Sequence, residues 1–454
     1  MEPESVHPGR SRSSTVNTLQ DPQPNAMKAP DAENLLLPED PQLGNYLIGT
    51  YLLRTGAGNI LELASGMASE QTIGTWVEVP GQSVGELPRH AGKVLSVWEI
   101  PDFEHSSSAP ESGLLREYVI QIAYPQVNIG KQLPMLLTTA FGNISMFGDI
   151  KLIDLTFPRD LVEGLPGPQF GIEGMRKLLG VEKRPLLNTM IKPSTGIRPE
   201  TGAELLFAAA AGGADIVKDD EVLADPEFSP ALQRLEVYMR RLQDAERETG
   251  EKKLYALNVT DEPERCLRKA EEAVQNGANA IMINFLPAGL GLVSSLARDT
   301  RISVPILAHL DFGGALFASP RHGISSVLLY GKLARLAGVD LITIPSPYGK
   351  FSLQYLKYIR IVAGLQGVLY EMPGTFPIVG GGIRQGDLPR LLRDLGPDFV
   401  VGAGGAIYAH PGGPAAGARA FRQGLELVMQ HGDFAGREKE FPELAAALQR
   451  WGTA

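Results

Sequence analysis

From Pro185 onward, eight short β-rich runs alternate with helical segments, and this rhythm restricts the fold more than any other feature of the chain. The runs are Pro185–Pro193, Asp215–Glu221, Leu254–Thr260, Ala278–Phe285, Val304–Leu310, Leu341–Ser346, Phe376–Gly381 and Phe399–Gly402. Between them, Glu200–Ala211, Leu232–Glu248, Glu262–Gln275, Ser326–Ala337 and Leu388–Leu395 carry apolar residues at helical spacing. Eight βα units in about 270 residues match the size of a closed parallel (β/α)8 TIM barrel. A doubly wound open sheet is the alternative, but it rarely uses eight such regular units. In a closed barrel the active site lies at the C-terminal ends of the strands. The polar residues at those ends are Lys192, Lys218, Asp220, Glu221, Asn258, Asn284, His309, Ser346, Gly380–Gly382 and Gly404–Gly405, which would converge on one mouth.

Ahead of the barrel the pattern differs. Tyr46–Arg54, Gly74–Pro80, Lys93–Pro101, Tyr118–Pro125 and Ile150–Phe157 read as strands, Asn59–Glu70 and Gln132–Phe141 as helices. They predict a ferredoxin-like α+β domain over residues 41–160, followed by the barrel domain over 161–454 with a leading helix at Gly171–Gly180. Residues 1–40 are rich in Pro, Ser, Asp, Glu and Asn and are expected to form a disordered tail, within which Met27 offers an alternative start. Net charge is −10 without a Lys/Arg-rich block, which argues against nucleic acid or an anionic membrane as partner. No secretory leader or bilayer-length apolar span is evident, so a cytoplasmic location is expected. The single cysteine, Cys266, rules out a disulfide framework and reads as a helix-packing residue.

The densest chemistry is Asp215-Ile216-Val217-Lys218-Asp219-Asp220-Glu221. Strand alternation sends Lys218 and Asp220 to one side and Asp219 and Glu221 to the other, unless a turn returns Glu221. Carboxylates are hard ligands suited to Mg²⁺, and a lysine among them makes sense if CO₂ converts its amine to an anionic carbamate. The plainer alternative is an acidic helix start beside a solvated lysine. Val379-Gly380-Gly381-Gly382-Ile383 and Gly402-Ala403-Gly404-Gly405 follow the seventh and eighth strands, the usual phosphate position in such barrels; tight turns alone are the alternative. Neither run matches a dinucleotide-binding fingerprint.

Taken together, Gly74-Thr75-Trp76, Ile191-Lys192-Pro193, the Gly212–Glu221 run, His309, Gly349-Lys350 and the two glycine clusters resemble the RuBisCO large-chain superfamily. The resemblance extends from Tyr46 to Trp451. It implies a homodimer in which the N-terminal domain of one subunit completes the other's mouth, with one Mg²⁺ per subunit. By motif position, Lys218 would carry the carbamate, Asp220 and Glu221 would complete the metal site, and Lys192 would transfer the proton. Gly381, Gly382, Gly404 and Gly405 would hold a phosphate, joined by Thr75 and Trp76 of the second subunit. Asn143 would sit near the metal-bound oxygens, and Lys350, on the loop after strand six, would pair with Glu70 across the dimer. His309 is expected to meet a substrate hydroxyl or phosphate, while His322 and His410 read as structural.

The departures from true carboxylases narrow the expectation. The arginine expected after the strand-five histidine is Leu310, the strand-six histidine is Thr343, the serine before the double glycine is Gly380, and a second lysine after Lys192 is Ser194. Loss of a phosphate-clamping arginine removes a charge-assisted pair, which points to a monophosphorylated substrate and a RuBisCO-like protein (form IV) that does not fix CO₂. Asp311 is a candidate replacement polar group in that region. Leu165–Pro168, Arg176–Gly180 and Pro345–Gly349 are similar to the methionine-salvage enolases, which act on a diketo-methylthiopentyl phosphate. Those enolases place a base lysine just before Lys151-Leu152-Ile153-Asp154; here Asp149 stands there. Retention of Glu70 with Lys350 favours carboxyl-handling chemistry instead: decarboxylation, or transcarboxylation with hydrolysis, of a β-keto acid phosphate such as 3-oxo-isoapionate 4-phosphate. A catalytically silent binding protein is the third expectation.

Overall fold

The computed structural model describes residues 41–74, 87–105, 107–108 and 113–453. Four strands build most of the N-terminal sheet: β1 (Tyr46–Thr55), β2 (Lys93–Ile100), β3 (Arg116–Pro125) and β4 (Ile150–Thr156). Strand β1 pairs antiparallel with β3 and β4 on either side, and β2 closes one edge against β3. Alternate residues of β1 and β3, among them Leu47, Tyr51, Leu53, Ile120 and Ile122, are buried, as a half-covered antiparallel sheet requires. The helices Ile60–Glu70 and Leu133–Phe141 supply Met67, Leu133 and Leu136 to the same core. Most of the expected strand Gly74–Pro80 lies outside the described residues.

The barrel strands are β5 (Leu186–Met190), β6 (Ile216–Lys218), β7 (Leu254–Asn258), β8 (Ala280–Ile283) and β9 (Ile306–Ala308), followed by β11 (Leu341–Pro345), β12 (Phe376–Gly380) and β13 (Val400–Gly402). The short β10 (Gly323–Ile324) leaves the barrel and joins the N-terminal sheet in parallel beside β4. All eight barrel strands run parallel, and the ring closes where Leu341 of β11 pairs with Leu307 of β9. The first residues of seven strands (Leu186, Ile216, Leu254, Ala280, Leu341, Phe376 and Val400) form one buried cluster with Met175 and Leu179 of the helix Gly171–Leu179. That helix plugs the N-terminal end, and burying each of these two side chains stabilises by roughly 1.5–3 kcal/mol. The opposite end is left as the open one.

Two differences from the sequence reading have local causes. The strand expected over Asp215–Glu221 is only Ile216–Lys218, because the chain turns at once, with the amide of Leu223 donating to the Asp220 carbonyl (3.0 Å). The helix expected over Ser326–Ala337 opens as a π-helical segment, Val327–Leu333, before becoming α-helical at Ala334–Ala337. There Gly331 packs against the backbone of Ile361 and Gly364 on the helix Tyr355–Gln366, an approach that leaves little room for a side chain. Cys266 is buried in the core and its thiol is pushed up to about 11 by that burial, as expected of a packing residue.

Candidate active site

At the open end, Lys218 is fully buried. Its Nζ donates to the carbonyl of Asp219 (2.8 Å), lies 3.6 Å from Met282 Sδ and 4.0 Å from Glu221 Oε2. Burial drives its pKa below the ordinary lysine value; the charges of Glu221, Asp220 and Asp219 oppose this. The neutral amine so favoured is the form that can attack CO₂. The turn returns Glu221 toward Lys218, while Asp219 faces the other way.

Asp219 is the anchor of this turn. Its carboxylate accepts from Arg234 Nη2 (2.9 Å) and Nε (3.1 Å), from the Tyr255 hydroxyl (2.7 Å) and from the amide of Asn258 (2.9 Å). Arg234 also donates to the carbonyls of Ser229 (2.5 Å) and Ala224 (2.7 Å), so one buried guanidinium holds both the strand end and the loop beyond it. Burial opposes its charge, but Asp219 keeps it firmly protonated. From the neighbouring strand ends, Asn258 and Asn284 donate to the Glu221 carbonyl (3.4 and 2.8 Å). The backbone presenting Asp220 and Glu221 is thus pinned from three directions.

Lys192, just beyond β5, reaches across with Nζ 2.6 Å from both Asp220 Oδ2 and Ser194 Oγ. Burial alone would raise the Asp220 pKa, but the hydrogen bond and charge of Lys192, followed by the charge of Lys218, pull it below the usual value. On the far side, His309 Nε2 lies 3.3 Å from Glu221 Oε2 and its Nδ1 3.0 Å from Asp311 Oδ1. Thr343, which stands where a histidine was expected, accepts from the amide of Leu310 (2.9 Å) and so orders the His309 loop.

The glycine runs join the same mouth. Gly381 and Gly382 have φ of 90° and 104°, a region open to glycine. A Cβ on Gly404 would lie 2.6 Å from Met190 Sδ and 3.4 Å from Lys192 Cε, so the loop after β13 sits against the amine end of Lys192. The amides of Gly381, Gly382, Gly404 and Gly405 donate to no protein acceptor among the described residues, leaving four N–H groups for an anion. The Lys350 amide donates to the Gly381 carbonyl (2.6 Å), while its Nζ lies over the Phe351 ring, 4.8 Å from the centroid.

Lys192, Lys218, Asp220, Glu221, His309, Lys350 and the four glycines therefore gather as expected. Glu70 and Asn143 do not enter this cluster: Asn143 Nδ2 donates to Glu70 Oε1 (2.9 Å) within the N-terminal domain. Thr75 and Trp76 lie outside the described residues. Asp149, which stands where a base lysine was expected, directly precedes β4, with its carboxylate 3.8 Å from Arg54. His410 Nε2 lies 2.9 Å from the Glu443 carbonyl and His322 Nδ1 3.0 Å from that of Gly148, both structural positions. Sequence reasoning missed Arg234 and Tyr255. The available signal was Arg234 standing in the apolar stripe Ala231, Leu235, Tyr238 and Leu242 of its helix.

The donors suit Mg²⁺ only with a further oxygen ligand. Among the described residues no three His, Cys, Asp or Glu side chains are grouped to hold a metal. Asp220 and Glu221 supply two hard oxygen donors, and a carbamate built on the buried amine of Lys218 would supply the third. The residues fit the cation on that condition.

Comparison with known proteins gives the family. Residues 171–451 match the family profile of the ribulose bisphosphate carboxylase large chain, catalytic domain, and residues 41–161 match that of its N-terminal domain. The chain is 45% identical over 424 residues to a ribulose bisphosphate carboxylase-like protein of Archaeoglobus fulgidus, covering 92% of this chain and 97% of that one. It is 37% identical over 406 residues to the 2,3-diketo-5-methylthiopentyl-1-phosphate enolase of Geobacillus kaustophilus, covering 89% and 98%. Among solved structures it superposes on a rubisco-like protein (MtnW) from Alicyclobacillus acidocaldarius with a TM-score of 0.83 at 35% identity, over 90% of this chain and 100% of that one. The chain belongs to the ribulose bisphosphate carboxylase large-chain family, as a RuBisCO-like protein.

Proposed function

We propose that the protein is a Mg²⁺-dependent enzyme that enolises a monophosphorylated keto compound, with a 2,3-diketo-5-methylthiopentyl-1-phosphate-type diketone as the leading substrate. This reverses the order of the expectations drawn from the sequence, which put carboxyl chemistry first. The named enolase relatives support the reversal. The observation that carries it is the contact of Lys192 Nζ with Asp220 at 2.6 Å, which sets a proton-transfer group beside the candidate metal ligands. With Asp149 held near Arg54 just ahead of β4, Lys192 is the base of this reading.

When bound, Mg²⁺ would polarise a carbonyl and steady the enolate oxygen. Lys218, as its carbamate, with Asp220 and Glu221 would hold it. The amides of Gly381, Gly382, Gly404 and Gly405 orient the phosphate, and Lys192 removes or returns the proton at the adjacent carbon. The chain is read as a homodimer in which Glu70, Asn143, Thr75 and Trp76 serve the mouth of the second copy. The Gly404 loop lies against Lys192, so a phosphate held there would set the carbon next to it beside the proton-transfer lysine.

Decarboxylation or hydrolysis of a β-keto acid phosphate is the second reading. It is favoured by Lys350, an exposed residue whose backbone is tied to Gly381 and whose ammonium lies over the Phe351 ring. The test is NMR of the protein with Mg²⁺ and bicarbonate in D₂O against both phosphates. Solvent deuterium entering the diketone without C–C cleavage supports enolisation. Release of CO₂ or an acid from the keto acid, with no exchange into the diketone, overturns it in favour of the second reading. ¹³CO₂ loading of the parent and of Lys218→Ala tests the carbamate separately, since only the parent should give its carbonyl resonance.

A further inference from the structure

The loop after β9 is held more rigidly than a substrate-free turn requires. The Leu310 amide donates to Thr343 Oγ1 (2.9 Å), and the Leu310 carbonyl accepts from the Tyr330 hydroxyl (2.8 Å). Gly313 packs so closely on that hydroxyl that a Cβ there would come within 1.8 Å of it. Between these pins the chain places Phe312 at a φ of 65°, rare for a bulky residue, and sets the Asp311 carboxylate on His309. The strained turn therefore has one visible product: the contact of Asp311 Oδ1 with His309 Nδ1 at 3.0 Å.

We propose that Asp311 is a positioning residue that fixes His309 with its hydrogen on Nδ1 and presents Nε2 to ligand oxygens held beside Glu221. A carboxylate can only accept, so the nitrogen hydrogen-bonded to it must donate. The Asp311 amide also points at Nδ1, but at 3.4 Å, and that longer contact to a neutral group yields to the shorter charge-assisted one. Nε2 also lies 3.3 Å from a carboxylate oxygen, Glu221 Oε2, but of these two carboxylate contacts only the one to Asp311 has hydrogen-bond geometry, so the hydrogen goes to Nδ1 and Nε2 stands at the edge of the candidate metal position. A hydroxyl entering there meets an acceptor already aimed at it. Sequence alone offered Asp311 only as a stand-in for a missing arginine; the geometry gives it a partner and a direction. The role of Nε2 toward substrate rests on the enolising reading above, whereas the orientation of the ring does not.

Selective ¹⁵N-histidine labelling at pH 8 tests the orientation, with His309→Gln identifying the resonances. The parent should show a protonated Nδ1 and an unprotonated Nε2 at His309. Asp311→Ala should mix the two forms while the protein stays folded by circular dichroism, and Asp311→Asn, which keeps an acceptor oxygen, should restore the parent pattern. A His309 pattern unmoved by Asp311→Ala overturns the assignment. In kinetics with the keto phosphate that is turned over, Asp311→Ala should lower kcat about 10- to 100-fold with KM changed less than about threefold, and Asn should recover most of it. Equal losses in the Ala and Asn variants would also overturn it. If neither phosphate is turned over, the enolising reading fails while the NMR result still decides the orientation.

Discussion

Lys192 Nζ and Asp220 Oδ2 lie 2.6 Å apart, so a candidate base and a candidate metal ligand are each other's partners. Asp220 is almost completely buried, whereas the Lys192 side chain is 38% exposed. A cation that takes the carboxylate releases the amine, which ties proton transfer to metal loading. Replacing Lys192 with Met should therefore leave divalent-cation binding intact or tighter, since a competing ammonium is gone. Deuterium exchange into substrate should fall by about 10²–10⁴-fold, the usual range for loss of a general base. Mn²⁺ titration followed by EPR and exchange followed by NMR check the two halves; weaker Mn²⁺ binding would contradict the competition.

The Arg234–Asp219 pair makes a different prediction, because neither side chain is exposed. Removing only the guanidinium leaves a buried carboxylate facing Tyr255 and the Asn258 amide, and breaking such a pair costs about 3–5 kcal/mol. Arg234→Met should lower unfolding stability by that order in denaturant titration. It should also weaken cation binding, because the turn that presents Asp220 and Glu221 loses its anchor. Adding Asp219→Asn to Arg234→Met should recover part of the stability, since the stranded charge is gone. No recovery in the double variant would mean that Arg234 acts through packing alone.

How far the sequence could be read follows from the kind of signal each element leaves. The barrel was legible because most of its eight strands carry short apolar runs followed by polar residues, and the plug residues Met175 and Leu179 fall at helical spacing. Lys218, Asp220 and Glu221 were legible because adjacency in sequence forces adjacency in space. The anchoring of Asp219 was not: Arg234 and Tyr255 lie 15 and 36 residues away, and only the packed helix brings them in. The strand over Asp215–Glu221 was read too long because local β propensity cannot report a turn imposed by long-range hydrogen bonds from Asn258 and Asn284. Asn143 was expected near the metal and Glu70 opposite Lys350. Within the single chain the two side chains pair with each other, whereas the Glu70 expectation was for a contact across a dimer.

Phe312 carries backbone strain at an exposed position. Its φ of 65° costs roughly 1–2 kcal/mol for a residue with a side chain, and its ring is still 61% exposed at the mouth. Phe312→Gly removes the strain and should raise the melting temperature by a few degrees. Phe351 on the neighbouring loop is similarly exposed, and two such rings at the opening suit a substrate with an apolar tail. The same variant should raise KM for the methylthio-bearing diketone more than for a shortened analogue. A melting temperature that falls would show that the ring packs on something the strain serves, such as the second subunit.

Acid stability should depend on Glu251. Its carboxylate lies 2.7 Å from Lys253 Nζ and 2.9 Å from Arg422 Nη2, joining the start of β7 to the helix Gly413–His431. Burial would raise its pKa, but the hydrogen bonds of Arg422 and Lys253 and their charges prevail, lowering it from 4.5 to about 2. A depressed carboxyl stabilises the folded state fully above its unfolded pKa and loses that contribution as pH falls through the folded one. The parent should therefore be more stable than Glu251→Gln at pH 6, and the gap should close between about pH 4.5 and pH 2. Because the side chain is 39% exposed, solvent screening keeps the gap smaller than the shift alone would suggest. Urea unfolding of both proteins at pH 6, 4 and 2.5 reads this directly. A gap that stays constant across the series would mean that Glu251 contributes shape and hydrogen bonding rather than charge.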